Sequence, residues 1–153
     1  MQVIPPDCPP VSKRQAMFAR YSFVADAAHV DPSGKVTALG IFDLIFAENF
    51  PVLHRAMSFI AMLEGTAREE GEHAISTEMR DDKGNSLAKF EQKINLVDSP
   101  TVKGIRRCSV VMNFHGLQFD RAGQYEFVMF SGNRFLCRTS FTVQQLKVTR
   151  MGE

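Results

Sequence analysis

Cysteine is scarce in this sequence, with three residues in a chain of 153. Cys8 lies near the N-terminus, and Cys108 and Cys137 fall on the apolar sides of predicted strands. A low, odd number of this kind favours buried, unpaired thiols in a reducing cytoplasm. A disulfide between Cys108 and Cys137 is the alternative, and alkylation with and without reductant, followed by mass analysis, separates the two.

The sequence also lacks a long apolar run and an excess of either charge. No stretch reaches the roughly 20 apolar residues of a membrane-spanning helix, so we expect no membrane partner. The 18 basic and 17 acidic residues are interspersed, which argues against nucleic-acid binding through phosphate contacts. Residues 1–15 do not resemble a secretory signal, and four prolines within residues 5–10 predict an extended or disordered tail.

Motifs of metal sites and enzymes are missing as well. No C-x-x-C occurs, and ligand spacing is absent among the histidines, which are His29, His54, His73 and His115. There is no G-x-S-x-G elbow, G-x-G-x-x-G or P-loop. Asp81-Asp82 fits a solvated turn better than a calcium loop. We therefore expect no metal, no cofactor and no enzymatic activity.

Short alternating strands are what the sequence does contain. About eight are predicted: near 17–27, 35–46, 55–64, 73–80, 87–96 and 106–117, with two more on either side of Ser131–Arg134. Turn signals separate them, and Val97–Ile105 is predicted to be a long crossing loop. The pattern predicts an all-β, antiparallel two-sheet sandwich. We expect tails at residues 1–14 and 147–153 around a domain at residues 15–146.

The alternation also predicts which side chains share a face. One face of the first strand is expected to carry Met17, Ala19, Tyr21, Phe23 and Ala25. The sixth strand is expected to point Cys108, Val110, Met112 and Phe114 inward. The last strand is expected to do the same with Phe135, Cys137, Phe141 and Val143.

The run Asp120-x-Ala122-Gly123-x-Tyr125 resembles the tyrosine corner of immunoglobulin-like domains. In that motif the tyrosine hydroxyl bonds back to the backbone that precedes its strand. The chain departs from antibody-type domains at Phe127, where those domains have a cysteine, and it contains no tryptophan. The resemblance implies an immunoglobulin-like or related Greek-key sandwich.

A second pattern extends over residues 17–143. It consists of Ala25-Asp26-Ala27, Gly34-Lys35, Leu39-Gly40-Ile41-Phe42-Asp43 and Phe50-Pro51-x-x-His54. This pattern resembles a small bacterial family of unknown function. The resemblance implies a compact β-sandwich from bacteria or their phages, and it implies no activity.

The stretch Val36–Leu63 is apolar on both sides of its predicted strands. Such strands must be covered, either by a loop or tail of the same chain or by another subunit. Both alternatives remain open. The candidate contact residues for a partner or ligand are Phe42, Asp43, Phe46, Phe50, His54 and Arg55. Alternatively, Phe50 and Leu53 plug one end of the sandwich while His54 satisfies backbone groups.

These observations favour a cytoplasmic, non-enzymatic β-sandwich that acts through protein contacts, as a homo-oligomer or as an accessory subunit. A second hypothesis is a sandwich that binds a small ligand or carbohydrate through His54, Arg55, Asp98 and His115. A thermal-shift screen separates the two, because a bound ligand raises the melting temperature. A phage or virion structural component is a third.

Overall fold

The computed structural model describes residues 16–147. The predicted N-terminal tail and nearly all of the predicted C-terminal tail lie outside the described residues. The strands are β1 (Phe18–Val30), β2 (Val36–Phe42), β3 (Leu44–Ala47), β4 (Val52–Thr66), β5 (Gly71–Arg80), β6 (Ser86–Asp98), β7 (Ile105–Phe119), β8 (Gly123–Ser131) and β9 (Arg134–Gln145). A short 3₁₀ turn, Ala67–Glu69, follows β4. The prediction of an all-β fold is confirmed.

The strands form one hydrogen-bonded series in the order β2-β1-β4-β7-β6-β5-β8-β9-β3. The series is nearly closed, so it does not divide clearly into the two sheets that the sequence predicted. β6 and β7 are joined only by the pairs Val97–Arg107 and Asp98–Arg106. Val97 and Asp98 were predicted in the crossing loop, yet they end β6 and make this short ladder.

The predicted second strand, residues 35–46, divides at Asp43. Before Asp43, β2 pairs antiparallel with β1 at one end of the series. After it, β3 pairs parallel with β9 at the other end, and the Thr142 amide donates to the Asp43 carbonyl at 2.8 Å. One strand was predicted here and the structure has two, and the antiparallel prediction is wrong for the β3–β9 pair. Apolar periodicity does not report which strand a residue pairs with.

The core lies between the strands of β4 and β7 and those of β8 and β9. The ring centroid of Phe127 lies 5.1 Å from that of Phe59, 5.2 Å from that of Phe114 and 5.7 Å from that of Phe141. The inward face predicted for β7 is confirmed, because its four apolar side chains all pack in or against the core.

Two register shifts overturn parts of the predicted faces. On β1 the shift between Ala19 and Tyr21 turns Tyr21 toward solvent and brings Val24 into the core. Between β8 and β9 the shift opposite Met129 and Phe130 leaves an extra residue, Leu136, on β9 and accompanies an exposed Phe135. The predicted common faces of the first and last strands are wrong at these points, because an extra residue in one strand reverses the alternation beyond it.

The tyrosine corner is confirmed. The Tyr125 hydroxyl donates to the Arg121 carbonyl at 2.7 Å, which ties the start of β8 to the turn before it. Cys108 and Cys137 are both free, so the alternative of a disulfide is wrong. Cys137 is buried and Cys108 half-buried, and desolvation raises the pKa of both thiols.

Candidate functional site

The two-sided apolar region is partly covered by the chain itself. On β4, Phe59 faces the core and its neighbour Ile60 faces the other way, yet both are fully buried. The Ser109 hydroxyl on β7 donates to the Gly34 carbonyl in the β1–β2 turn at 3.1 Å. Because β1 and β7 flank β4 on opposite sides, the hairpin tip must cross the outer face of β4 to make this contact.

Two apolar side chains of β2 stay uncovered, as do Phe46 on β3 at 55% exposure and Leu53 on β4 at 62%. Leu39 is 66% exposed and Ile41 is 65% exposed, and both lie on the same side of this strand. These two residues were not among the predicted contact residues. The signal for them in the sequence was the absence of any charge from Val36 to Phe42, directly after a turn.

β2 is an edge strand of unusual composition. Within residues 16–147 it pairs only with β1, so its second edge carries unpaired backbone groups. Its sequence, VTALGIF, contains no charged residue and no proline. Natural edge strands are usually protected from pairing with other chains by lysine, proline or an inward charge. None of these protections is present along β2.

The turn before β2 is fixed by Asp31. Its carboxylate accepts from the backbone amides of Ser33 and Lys35, at 2.8 and 3.0 Å, and from the Ser33 hydroxyl. The bond from the Ser33 side chain, together with these amides, lowers the pKa of Asp31 below its usual value. The first residues of β2 therefore start from a defined position.

Gly40 lets β2 pass close to β1. Its φ is +67°, in the left-handed region that favours glycine. A Cβ at this position would lie 2.2 Å from Oδ2 of Asp26. Asp26 therefore occupies the space that any other residue at position 40 would need.

Two exposed charges of opposite sign flank the uncharged strand. Lys35 precedes it and Asp43 follows it, and both are exposed. Neither forms an ion pair within the part of the chain that the structure describes. The free edge of β2 thus presents a neutral centre between a cation and an anion.

The predicted contact residues are only partly exposed. Phe42 and Phe50 are half-buried and pack against the core, while Asp43, Phe46 and Arg55 are exposed. The ring of His54 lies 6.1 Å from that of Phe42. His54 does not satisfy backbone groups through Nε2, which is buried without a hydrogen-bond partner, and Leu53 is exposed instead of plugging the end.

The residues predicted for ligand binding do not form one cluster. Asp98 pairs with Arg106 at the start of β7, whereas His115 lies near the other end of that strand and pairs with Ala56. At ~3.3 Å per residue, these two positions lie about 30 Å apart along β7. His54 and Arg55 lie at the His115 end.

Two shallow depressions occur elsewhere on the described surface. One, of about 480 Å³, lies over β5 and β6 and is lined by Ser76, Lys89, Glu91, Lys93 and Asn133 among others. The second, of about 360 Å³, lies where β6, β7 and the turn before β8 meet. In residues 16–147 no group of three or more His, Cys, Asp or Glu side chains could hold a metal ion. Nor does this span contain a helix long and apolar enough to cross a membrane.

A family model described as a family of unknown function (DUF6941) matches residues 20–144. No curated protein matches the chain. The alkylpurine DNA glycosylase AlkC of Pseudomonas fluorescens, solved bound to DNA containing an abasic site analog, aligns with 84% of this chain at 10% identity and a TM-score of 0.48. The chain spans only 30% of that glycosylase.

Two further solved structures are similar at the same level. An immunoglobulin-like protein of Pseudomonas aeruginosa aligns with 86% of this chain and 99% of its own length, at 17% identity and a TM-score of 0.44. A beta-glucosidase of Listeria innocua, in complex with isofagomine, aligns with 84% of this chain and 17% of its own, at 10% identity and a TM-score of 0.45. At these identities and TM-scores the likenesses carry no argument about activity.

Proposed function

The chain belongs to a family of unknown function (DUF6941), and we propose that it is a non-enzymatic β-protein that acts through protein contacts at the free edge of β2. The observation that carries this proposal is the exposure of Leu39 and Ile41 on an edge strand without a charge or a proline. The contact makes the protein part of a homo-oligomer or an accessory subunit of a larger assembly.

Strand addition is the form of contact that this edge supports. A partner strand beside β2 would satisfy the unpaired amides and carbonyls, and its side chains would cover Leu39 and Ile41. Burial of apolar area contributes roughly 25 cal/mol per Å², so two largely exposed aliphatic side chains are a substantial part of a small interface. The predicted ligand residues, by contrast, lie on three strands, β4, β6 and β7, with Asp98 about 30 Å from the others, which favours the protein-contact hypothesis over the ligand hypothesis.

The proposed protein is a two-layer body in the cytoplasm. A two-layer, immunoglobulin-like description of the body is supported by the short β6–β7 ladder and by the Tyr125–Arg121 corner. A cytoplasmic location is supported by the free thiols of Cys108 and Cys137. A cysteine-alkylation experiment on protein taken from its own cells tests the cytoplasmic location. A disulfide between Cys108 and Cys137 there would contradict it.

The direct experiment places a photo-crosslinking residue at position 39 of the full chain, in the cells that produce it. We expect a crosslinked protein, either a second copy or another chain, because a partner strand would lie against this side chain. The matched control carries the same residue in place of Leu53, which is 62% exposed on β4. The proposal fails if position 39 crosslinks no more than position 53.

A Leu39→Lys substitution supplies the complementary measurement. A charge on this edge should abolish the contact and leave the fold intact, since Leu39 contributes little to the core. The equivalent Leu53→Lys should leave the contact unchanged. Sedimentation velocity of the pure chains and crosslink yield in cells report the outcome, and an unchanged yield for the Leu39 variant would count against the proposal.

A further inference from the structure

We infer that the partner of β2 is β2 of a second copy of this chain, paired antiparallel about a twofold axis at Leu39. This inference rests on the proposed function and gives it an occupant and a register. A twofold pairing of this kind is isologous, so the same residues must complement one another in both directions. Charge, backbone direction and side-chain fit can each be tested against that requirement.

The charges that flank β2 complement one another in both directions, as a twofold axis requires. With Leu39 opposite Leu39 of the second copy, Lys35 stands opposite Asp43 of the second copy, and the same contact repeats on the other side of the axis. Both residues are exposed and have no ion-pair partner within residues 16–147. Opposite charges across neighbouring strands stabilise pairing, and like charges oppose it.

Neighbouring registers lose this match. A shift that centres the pair on Thr37 places Asp43 opposite Asp31 of the second copy, so two carboxylates face each other. A shift that centres it on Ile41 places Asp43 opposite Leu39 and leaves Lys35 beyond the strand. Only the register centred on Leu39 pairs both charges with opposite ones.

The backbone directions agree with the same register. The Asp31 amide donates to the Lys35 carbonyl at 3.0 Å, so the carbonyl of Lys35 points toward β1. Because the direction alternates along a strand, the polar groups of Val36 and Ala38 point to the free edge. In the twofold register these outward-pointing residues, Val36 and Ala38, face Phe42 and Gly40 of the second copy, and Gly40, with a φ of +67°, is the one position of β2 where the extended alternation is interrupted.

The exposed side chains complete the fit. Thr37, Leu39 and Ile41 share one side of β2, and in this register Leu39 meets its own copy while Thr37 meets Ile41. A strand of 7 residues makes an interface smaller than the roughly 1,200 Å² of stable complexes. The dimer is therefore weak and concentration-dependent, which sets the range for its measurement from micromolar to sub-millimolar chain.

Charge exchange tests the register. Lys35→Glu and Asp43→Lys each create two like-charge contacts and should weaken self-association about tenfold. An equimolar mixture of the two variants should associate at least as well as the unchanged chain, because both contacts in the mixed dimer are then opposite in charge. Sedimentation velocity measures all three samples, and Lys89→Glu, an exposed charge on β6, serves as the control that leaves association unchanged.

Crosslinking tests the axis. Leu39→Cys should form an intermolecular disulfide under mild oxidation, since opposed residues of this kind have Cα atoms about 4.5 Å apart. Thr37→Cys alone should not, because its copy lies roughly 13 Å away along the strand. A mixture of Thr37→Cys and Ile41→Cys should crosslink again. Each is compared with the unsubstituted chain, which has the same native cysteines.

The outcomes separate this inference from the proposed function. Failure of the mixed charge variants to associate, or equal crosslinking at positions 37 and 39, overturns the register. A pure chain that stays monomeric at sub-millimolar concentration overturns the second copy as partner. If position 39 still crosslinks a different protein in cells, the edge is a contact surface as proposed and only its occupant was misassigned.

Discussion

At the scale of single residues, Gly40 is the position of β2 where an added side chain meets both a left-handed backbone and a close neighbour. An alanine there would take a left-handed φ of +67° and approach Asp26 at 2.2 Å. We expect Gly40→Ala to lower the free energy of unfolding by about 1–3 kcal/mol, measured by urea denaturation. Gly84→Ala is the control, since its φ is +79° with nothing within 4 Å. Equal losses for the two would mean that Asp26 simply moves aside.

Tyr125 allows a prediction of pH dependence. Tyr125→Phe removes the bond to the Arg121 carbonyl and should cost about 0.5–1.5 kcal/mol at neutral pH. Desolvation raises the pKa of Tyr125 above its ordinary value of 10.0. A raised folded-state pKa gives stability that is present below pH 10 and lost as the pH rises through the folded value.

The difference in unfolding free energy between the natural chain and Tyr125→Phe should therefore shrink above pH 10. Denaturation at a series of pH values measures it. The other tyrosine and the lysines titrate in both proteins, so their contributions cancel in the difference. A difference that stays constant above pH 10 would contradict the assignment.

At the scale of strands, a buried carboxylate ties β1, β4 and β7 together. Glu64 is 2% exposed on β4, with Arg20 of β1 and Arg107 of β7 each 3.3 Å from its Oε2. Arg20 is more than half exposed, and we expect Arg20→Ala to cost less than about 1 kcal/mol. Arg107→Ala should cost more, because this guanidinium is the better buried of the two.

The double substitution should exceed the sum of the single ones. It leaves Glu64 buried without either cation, at a cost of about 3 kcal/mol or more in unfolding free energy. Urea denaturation of the four proteins in the cycle measures this excess. In a Glu64→Gln background both arginine substitutions should become nearly neutral, and persistent losses there would show that the arginines act through packing.

At the scale of the whole molecule, Phe127 connects the strands on either side of the core. Phe127→Ala should lower the free energy of unfolding by about 3–5 kcal/mol, because it removes the contacts with Phe59, Phe114 and Phe141 together. Phe135→Ala on the exposed side of β9 is the matched control and should cost under about 1 kcal/mol. Near- and far-ultraviolet circular dichroism should report one shared transition, since a single core joins the series.

The sequence by itself determined the kinds of element and several of their faces. The inward side of β7, the turn at Asp31 and the corner at Tyr125 depend on residues close together in the chain, so alternation and turn chemistry predict them. Alternation gave wrong faces in parts of β1 and β9, since one inserted residue in each strand reverses every face beyond it.

Only the tertiary structure decided how the apolar stretch Val36–Leu63 is divided between core and surface. The break at Asp43, the parallel β3–β9 pair and the hairpin that reaches Ser109 join residues far apart in sequence. Burial depends on those distant partners, whereas apolar character is local. For this reason β4 is covered on both faces from Met57 onward, while Leu39 and Ile41 remain exposed at the free edge of β2.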